Sequence, residues 1–140
     1  MKIVVLKFGG TSVGTIEKIK NVADIIGSYL KKKYKVIVIS SAMSGVTNEL
    51  INKSKKISPN FSDSEYDVLV SSGEQVACSL IAGRLIHKGY ESRSWLSWQI
   101  PITTKGPHKN SRINHINKNR MLKYLKNGGT PIITGFQGIS

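Results

Sequence analysis

Apolar residues along the chain follow two alternating patterns, which predict strands and helices in turn. Ile3 to Leu6 and Val36 to Ile39 are apolar at every position, as is typical of parallel strands covered on both faces of a sheet. Between them, apolar residues from Ile16 to Leu30 recur at helical spacing, and Thr15 precedes them as an N-cap. Strand and helix therefore alternate from the start of the chain.

The alternation continues to the last residues. Further helices are predicted over 47–56, capped by Thr47, and over 73–88 and 117–126. Further strands are predicted over 92–96 and 130–134, and a short segment over 100–104, in which Pro101 argues for a sheet edge. The stretch 61–72 lacks a clear period, and we expect a solvated loop there.

This order of elements predicts an α/β fold with a mostly parallel sheet and helices on both faces, a three-layer sandwich. Parallel strands need crossover connections, which are right-handed and place helices against the sheet. The length of 140 residues suits one domain. Ligands in such folds bind beyond the carboxyl ends of the strands. That rule selects four loops, over 9–14, 40–47, 95–104 and 135–138.

The first loop combines a lysine with bare backbone. Lys7 ends an apolar run and is followed by Gly9 and Gly10. Adjacent glycines let backbone N–H groups approach a phosphate, and Lys7 would add a mobile point charge. The spacing matches neither the P-loop nor G-x-G-x-x-G, and glycines are common at strand-to-helix turns. Phosphate binding and a simple turn both remain open at this point.

Three polar residues in later loops have two interpretations each. Glu74 completes a capping box with Ser71, or it points into the cleft and accepts a hydrogen bond from a cationic substrate group. Ser41 is an ordinary loop serine or a ligand contact, and Thr47 is a helix cap or a ligand contact. The residues alone do not choose between these interpretations.

The net charge and composition indicate which kinds of partner the protein is expected to bind. The net charge of +13 suggests an anionic partner such as nucleic acid. Only four of the 21 basic residues are arginine, however, and base readout relies on guanidinium groups. We therefore expect lysines on solvated faces, with the runs at 31–35 and 53–56 at helix ends, and no nucleic acid partner.

Other features predict a soluble, cytoplasmic protein without a metal cluster. The first apolar run is too short for a signal peptide or a membrane span. Cys78 is the one cysteine, lies in an apolar periodic run and is expected to be a buried structural residue. The three histidines show no metal-ligand spacing, and the alternating Asp63, Glu65 and Asp67 fit a solvated loop better than a metal site.

Taken together and in order, these loops resemble the aspartate kinases of the amino-acid-kinase superfamily. The resemblance covers essentially the whole chain and rests on KFGGTSV at 7–13, SSAMSGVTNEL at 40–50, SSGEQ at 71–75, TT at 103–104 with HKNSRI at 108–113, and GFQG at 135–138. It implies phosphoryl transfer from MgATP to the side-chain carboxylate of L-aspartate, giving 4-phospho-L-aspartate. That reaction opens lysine, diaminopimelate, threonine and methionine biosynthesis.

The resemblance also implies roles for individual residues. Lys7, Gly9 and Gly10 would hold the ATP phosphates, with Lys7 stabilising the developing charge as the catalytic cation. Ser41, Thr47 and Glu74 match the positions that contact aspartate in the family. Catalysis of this kind depends mainly on positioning and charge.

The chain departs from the family pattern in two places. Residues 98–101, WQIP, stand where the family has Gln-Ala-Gly before its threonine pair. Family members also continue beyond GFQG, into a Gly-Arg-Gly-Gly-Ser-Asp segment, strands of the adenine pocket and usually ACT regulatory domains. We therefore expect residues 1–140 to be the N-terminal portion of the kinase domain, truncated at its C-terminal side.

Several alternatives remain open from the sequence. A second chain could complete the domain, or the protein could be an inactive truncated remnant. Another superfamily substrate, such as acetylglutamate or glutamate, is the nearest enzymatic alternative, and a basic nucleic-acid-binding module that keeps the scaffold is the non-enzymatic one. A homo-oligomer is also compatible with the family.

Overall fold

A four-stranded parallel sheet forms the centre of the computed structural model, which describes residues 1–135 and Gly138. The strands are β1 (Ile3–Phe8), β2 (Lys35–Ser40), β3 (Ser92–Trp95) and β6 (Thr130–Thr134), arranged in the order β1-β2-β6-β3. The register places Lys7 opposite Ile39 and Ser40 opposite Thr134. The last residues of all the strands therefore lie at one edge of the sheet, here named the carboxyl edge.

Helices cover both faces of this sheet, as predicted. They are α1 (Ile16–Lys31), α2 (Val46–Ile57), α3 (Asp63–His87) and α4 (Asn119–Lys126). Helices α1 and α3 bury the larger core against one face, including Val36, Val38 and Ile132 of the strands. Helix α4 packs on the opposite face, where Met121 and Leu125 join Ile37, Trp95 and Ile100. The alternation of apolar strand residues between these two cores follows from the two-residue period of a strand.

Strand β1 differs from its prediction because one of its faces is open. Val4, Leu6 and Phe8 pack against the larger core, whereas Ile3 and Val5 are 44% and 58% exposed. β1 is an edge strand of the described sheet, and α4 covers only the inner strands. The apolar run therefore correctly predicted a strand, but its burial on both faces was wrong.

Helix α3 is longer than predicted and overturns two expectations. It begins at Asp63 instead of Gly73, so the stretch 61–72 is mainly helical and not a loop. Ser71 and Glu74 consequently lie in the middle of a helix, so the capping-box interpretation of Glu74 is wrong. The acidic residues in its first turns have tertiary partners, because Asp63 forms an ion pair with Lys109 and Asp67 a hydrogen bond with His108.

The helix ends agree more closely with the sequence. Thr15 caps α1 as predicted, and its Oγ1 accepts a hydrogen bond from the Lys18 N–H at 3.2 Å. Thr47 does not cap α2, because Gly45 at φ +85° is the N-cap and Thr47 lies inside the first turn. Lysines lie in the last turns of α1 and α2, where their positive charge interacts favourably with the helix dipole.

A two-stranded antiparallel hairpin lies outside the main sheet. It consists of β4 (Ile102–Lys105) and β5 (Arg112–Ile116), with a register shift between Thr103 and Thr104. β5 was not predicted, because all five of its residues are exposed and its sequence shows no alternation of apolar and polar positions. None of the helices in the described part of the chain has the length and hydropathy needed to cross a bilayer.

Candidate functional site

Three of the predicted loops meet at the carboxyl edge and are tied by backbone hydrogen bonds. The Ser41 N–H donates to the Phe8 carbonyl, the Ser44 N–H to the Gly10 carbonyl, and the Gly135 N–H to the Ser40 carbonyl, each at 3.1 Å. The loops after β1, β2 and β6 therefore form one continuous rim. Phe136 and Gln137 of the fourth predicted loop lie outside the described residues.

The two glycines after β1 serve different purposes. A Cβ on Gly10 would lie 3.0 Å from the Ala42 carbonyl oxygen, so this glycine lets the first and second loops approach closely. A Cβ on Gly9 would meet no atom within 4 Å. Gly9 thus leaves open space at the end of β1, which is where a ligand could contact its backbone.

Lys7 is an exposed cation at this edge. It precedes the last residue of β1 and lies on the same open strand face as Ile3 and Val5, away from α1 and α3. Among the residues that the structure describes, Lys7 has no ion-pair or side-chain hydrogen-bond partner. Its ammonium group is therefore available for an anionic ligand.

Glu74 is a buried carboxylate at the same edge. Its side chain is 5% exposed and accepts a hydrogen bond from the backbone N–H of Ala42. The second oxygen, Oε2, is buried without a partner in the described chain and lies beside Gly135. Burial raises the pKa of this carboxyl, and the Ala42 hydrogen bond only partly opposes that effect. An orphaned carboxylate oxygen of this kind needs a hydrogen-bond donor from outside the described residues.

Two further buried polar groups surround Glu74. Thr134, opposite Ser40 in the register, is 3% exposed and its Oγ1 lacks a hydrogen-bond partner within the described residues. Cys78 lies one helical turn beyond Glu74, and burial raises the pKa of its thiol to about 12. The thiol therefore stays protonated, and the prediction of a structural cysteine is confirmed.

Ser41 and Thr47 lie on the loop and helix that flank Glu74. Both are half-buried. A Cβ on Gly73 of α3 would lie 3.0 Å from the side chains of both Val46 and Leu50, so the start of α2 is packed against α3 next to Glu74. The fold thus brings the loop of Ser41 and the helix of Thr47 against the middle of α3, next to Glu74. Lys7 approaches the same edge from the other face of the sheet.

Sequence reasoning missed Thr134 and the contacts of the hairpin tip. His108 Nδ1 and Lys109 Nζ lie 2.6 Å from carboxylate oxygens of Asp67 and Asp63 respectively. Lys109 also lies over the ring of Tyr66 at 4.4 Å. The opposite charges of the tip and of the first turns of α3 were visible in the sequence, but only the fold pairs them. The described residues hold no group of three or more metal-binding side chains.

A cavity of about 440 Å³ lies at the other edge of the sheet, away from all the predicted site residues. It is lined by the end of α1 and by the first residues of β2 and β6, including Lys33, Tyr34 and Thr130. None of the buried orphan atoms described above faces it. The carboxyl edge is therefore the stronger candidate site.

The comparison with protein families identifies the family of this chain. Residues 2–140 match the model of the amino acid kinase family. The chain belongs to this family. The resemblance to its aspartate kinases is borne out by relatives along the whole chain. An aspartokinase from Geobacillus stearothermophilus is 45% identical over 140 residues, and aspartokinase 2 from Bacillus subtilis is 41% identical over 140 residues.

The chain is much shorter than these relatives. Both alignments include the whole chain, but they include only 34% of each relative's length. Several solved structures of kinases are also similar to this chain. The aspartate kinase from Synechocystis superposes with a TM-score of 0.83 at 35% identity, covering all of this chain and 22% of that one.

More distant structures confirm the fold alone. E. coli aspartokinase III, solved in complex with aspartate and ADP, gives a TM-score of 0.76 at 20% identity. The superposition includes 95% of this chain and 40% of the E. coli chain. A carbamate kinase from Giardia lamblia, bound to AMP-PNP, gives 0.70 at 15% identity, covering 99% of this chain and 57% of its own. The α/β architecture of the amino acid kinases is therefore present in these residues.

Proposed function

We propose that these residues form the aspartate-binding part of an ATP-dependent aspartate kinase. The reaction transfers a phosphoryl group from ATP to the side-chain carboxylate of L-aspartate and yields 4-phospho-L-aspartate. The observation that carries the proposal is the buried Glu74 carboxylate, whose Oε2 has no partner among the described residues at the carboxyl edge. The similarity to aspartokinases along the whole chain supports it.

Glu74 is suited to the ammonium group of an amino acid. An ammonium has three N–H donors, and one of them would satisfy Oε2 while its charge offsets the desolvation of the carboxylate. The pKa of Glu74, raised by burial, would fall when such a cation binds. Ser41 and Thr47 supply hydroxyl groups on the adjoining loop and helix, which we assign to the carboxylates of aspartate.

Lys7 and the first loop suit the nucleotide. The open space at Gly9 and the unpaired ammonium of Lys7 fit a phosphate chain lying across the end of β1. Bound ATP would supply the phosphoryl group, and Lys7 would stabilise the negative charge that develops on it. The described residues contain no cluster of carboxylates suited to Mg²⁺, so no step is assigned to that ion.

The two faces of the sheet would thus divide the substrates. Glu74 lies on the face of α3 and Lys7 on the opposite face, so an aspartate and a phosphate held by them would meet across the carboxyl edge. Because the chain spans 34% of the length of its relatives, we assign the rest of the nucleotide site to a further segment or a second chain.

Aspartate binding to the 140-residue chain tests the first part of the proposal. Calorimetric titration should show binding that Glu74→Gln weakens about 10- to 100-fold, since a hydrogen bond to a charged group contributes about 1.5–3 kcal/mol. The matched control is Glu49→Gln, because Glu49 is exposed and pairs only with Lys53. Equal affinity in the wild type and Glu74→Gln would refute the assignment of Glu74.

Phosphoryl transfer tests the second part. We would combine the chain with a separate chain carrying the remaining two thirds of the Geobacillus stearothermophilus aspartokinase and trap acyl phosphate as the hydroxamate. Lys7→Ala should lower the rate about 100- to 1,000-fold, the usual loss for one stabilising group. Lys2→Ala, an exposed lysine before the same strand, should leave the rate unchanged.

The two experiments separate the remaining alternatives. Aspartate binding without phosphoryl transfer in the combined sample would indicate an inactive remnant that keeps its substrate site. Binding of acetylglutamate or glutamate in preference to aspartate would indicate another amino acid kinase. Lack of binding by folded protein to any of these would refute the proposed function.

A further inference from the structure

The motif HKNSRI at the tip of the hairpin has no role in the function proposed above. Its first two residues contact the first turns of α3. His108 Nδ1 shares a hydrogen bond of 2.6 Å with Asp67 Oδ2, and Lys109 Nζ forms an ion pair of 2.6 Å with Asp63. Lys109 also lies 4.4 Å from the centre of the Tyr66 ring. The hydrogen bond from Asp63 raises the pKa of the Lys109 ammonium, which therefore stays charged. We name these three contacts the tip clasp.

The first turns of α3 extend beyond the sheet. The α3 residues in the larger core, from Ala77 to Leu85, all follow Glu74, which lies at the carboxyl edge. Residues 63–73 precede Glu74 and span about 16 Å along the helix, at 1.5 Å per residue. The other end of α3 leads into the start of β3 at the amino edge. The turns that carry the tip clasp therefore rise above the carboxyl edge.

The hairpin starts on the opposite face of the sheet. Ile100, next to its base, is 1% exposed and joins Trp95 in the core beneath α4. The backbone N–H of Asn117, just after β5, donates to the Pro101 carbonyl at 2.9 Å and closes the base. The tip contacts α3, which covers the other face of the sheet. The hairpin therefore crosses the carboxyl edge from one face to the other.

The middle of the hairpin lies against the fourth loop. A Cβ on Gly138 would collide with the side chain of Thr104, so this end of the loop lies directly beside β4. At the start of the same loop, a Cβ on Gly135 would lie 3.6 Å from Glu74 Oε2. Gly135 and Gly138 are three residues apart, and three residues span at most about 11 Å. Strand β4 therefore lies near the carboxylate oxygen that lacks a partner in the described chain.

Few other contacts hold the hairpin in this position. Within the described residues, β4 and β5 pair with each other and make only sparse contacts with the other strands and helices. All of β5 is exposed, and Ile113 is 64% exposed. The register shift between Thr103 and Thr104 bends the ribbon. A segment with so few buried contacts opens easily, so the tip clasp decides how much of the time the hairpin is docked on α3.

We propose that His108 and Lys109 are positioning residues of the aspartate site, because they hold the hairpin across the carboxyl edge near Glu74. This inference rests on the proposed function and adds two residues to it. Both act at a distance, since Asp67 lies about 10 Å before Glu74 along α3. The docked hairpin excludes water from the edge, where a charge pair is stronger at a lower effective dielectric constant. Aspartate therefore binds best to the docked form.

Chemical linking measures the docking of the hairpin without any ligand. Glu65→Cys and Asn110→Cys place one thiol on α3 and one on the tip, and they leave every residue of the clasp intact. Burial raises the pKa of the Cys78 thiol to about 12, so this thiol stays unreactive. A short bis-maleimide should join the two introduced cysteines within one chain. The rate of linking reports the docked fraction.

Removal of the clasp should lower this rate. In His108→Ala/Lys109→Ala, linking should be at least about 3-fold slower, since each exposed charged contact of this kind changes an equilibrium about 2- to 5-fold. The matched control is Lys105→Ala/His115→Ala. It also removes one lysine and one histidine from the hairpin, but neither forms an ion pair within the described residues. The control should link as fast as the chain with the intact clasp.

Aspartate binding measures the positioning role. By calorimetric titration, loss of the clasp should raise the Kd for aspartate about 3- to 10-fold, because only the docked fraction binds well. Linking residues 65 and 110 should restore the original Kd in the same variant, since the linker replaces the clasp. Restoration distinguishes positioning from a direct contact with aspartate, which a linker cannot supply. Circular dichroism verifies the fold of each variant.

The outcomes separate this inference from the proposed function. Equal linking rates with and without the clasp would overturn the inference, and so would a Kd that loss of the clasp leaves unchanged. A raised Kd that linking does not restore would overturn the positioning role. Lack of aspartate binding by the folded wild type would refute the proposed function and, with it, the role of the clasp in that site. The linking rates would then still report whether the clasp holds the hairpin.

Discussion

The two edges of the central sheet both bury polar groups, but they satisfy them differently. At the amino edge, the buried Ser92 hydroxyl donates to the Thr130 carbonyl at 2.8 Å. At the carboxyl edge, Glu74 Oε2 and Thr134 Oγ1 are buried without partners in the described chain. Buried polar groups are normally paired, since an unpaired one costs free energy. The buried Arg84 Nε near the end of α3 also has no partner among the described residues, so the distinction rests on the two orphaned oxygens, which support the carboxyl edge as the binding site.

The largest expected effect on stability is at the satisfied edge. Ser92→Ala should lower the free energy of unfolding by about 2 kcal/mol, because it leaves the Thr130 carbonyl without its side-chain donor. Urea unfolding measures the change. Ser94→Ala on the same strand removes no such hydrogen bond and should change stability by less than about 0.5 kcal/mol. Equal losses in the two variants would contradict the structural role of Ser92.

The next effect concerns the pH dependence of stability at the carboxyl edge. Because burial raises the pKa of Glu74 in the folded state, the folded protein binds more protons than the unfolded chain above the ordinary pKa of 4.5. Stability should therefore fall as pH rises from there through the raised pKa. Glu74→Gln removes this fall, and it should be more stable than the wild type at neutral pH and similar in acid.

Thermal unfolding over a pH series measures the dependence of both proteins. Glu49→Gln is the matched control, since Glu49 is exposed and its pairing with Lys53 is a surface contact. The control should follow the wild-type curve throughout the range. Wild-type and Glu74→Gln curves that run parallel would show that the carboxylate is not the source of the effect.

The smallest expected effect is a gain of about 1 kcal/mol in Thr134→Val. This substitution keeps the shape of the side chain and removes a buried hydroxyl that has no partner in the described residues. Ser40→Ala should have the opposite sign, because the Ser40 hydroxyl donates to the Ser41 carbonyl at 3.1 Å. Chemical denaturation distinguishes the two. A loss of stability in Thr134→Val would place Thr134 with the satisfied groups.

The fold was largely predictable because neighbouring residues specify most of its strands and helices. The apolar runs of β1, β2 and β6 and the period of α1 are properties of neighbouring residues, and Thr15 caps α1 as its sequence position predicts. The first turns of α3 were mispredicted for a physical reason. Two contacts with the hairpin tip stabilise these turns, since Asp63 forms an ion pair with Lys109 and Asp67 a hydrogen bond with His108. Those partners are more than 40 residues away, so no local pattern contains them.

The sequence selected residues for the candidate site but did not predict their surroundings. The rule that ligands bind beyond the carboxyl ends of strands, together with the resemblance to aspartate kinases, selected Lys7, Gly9, Ser41, Thr47 and Glu74. The environment of Glu74 was not predictable, since its local sequence left open both a capping box and a residue that points into the cleft. Its burial arises because α3 starts earlier than expected and packs on the sheet.

The sequence by itself determined the alternation of strands and helices, the parallel sheet and the glycine loop after Lys7, because these depend on residue spacing and backbone freedom. Only the tertiary structure decided that one face of β1 stays open and that the Glu74 carboxylate is buried with an oxygen that has no partner among the described residues. Each of these depends on which distant element covers a given surface. Burial is a property of the packed molecule, so it appears only when the elements are assembled.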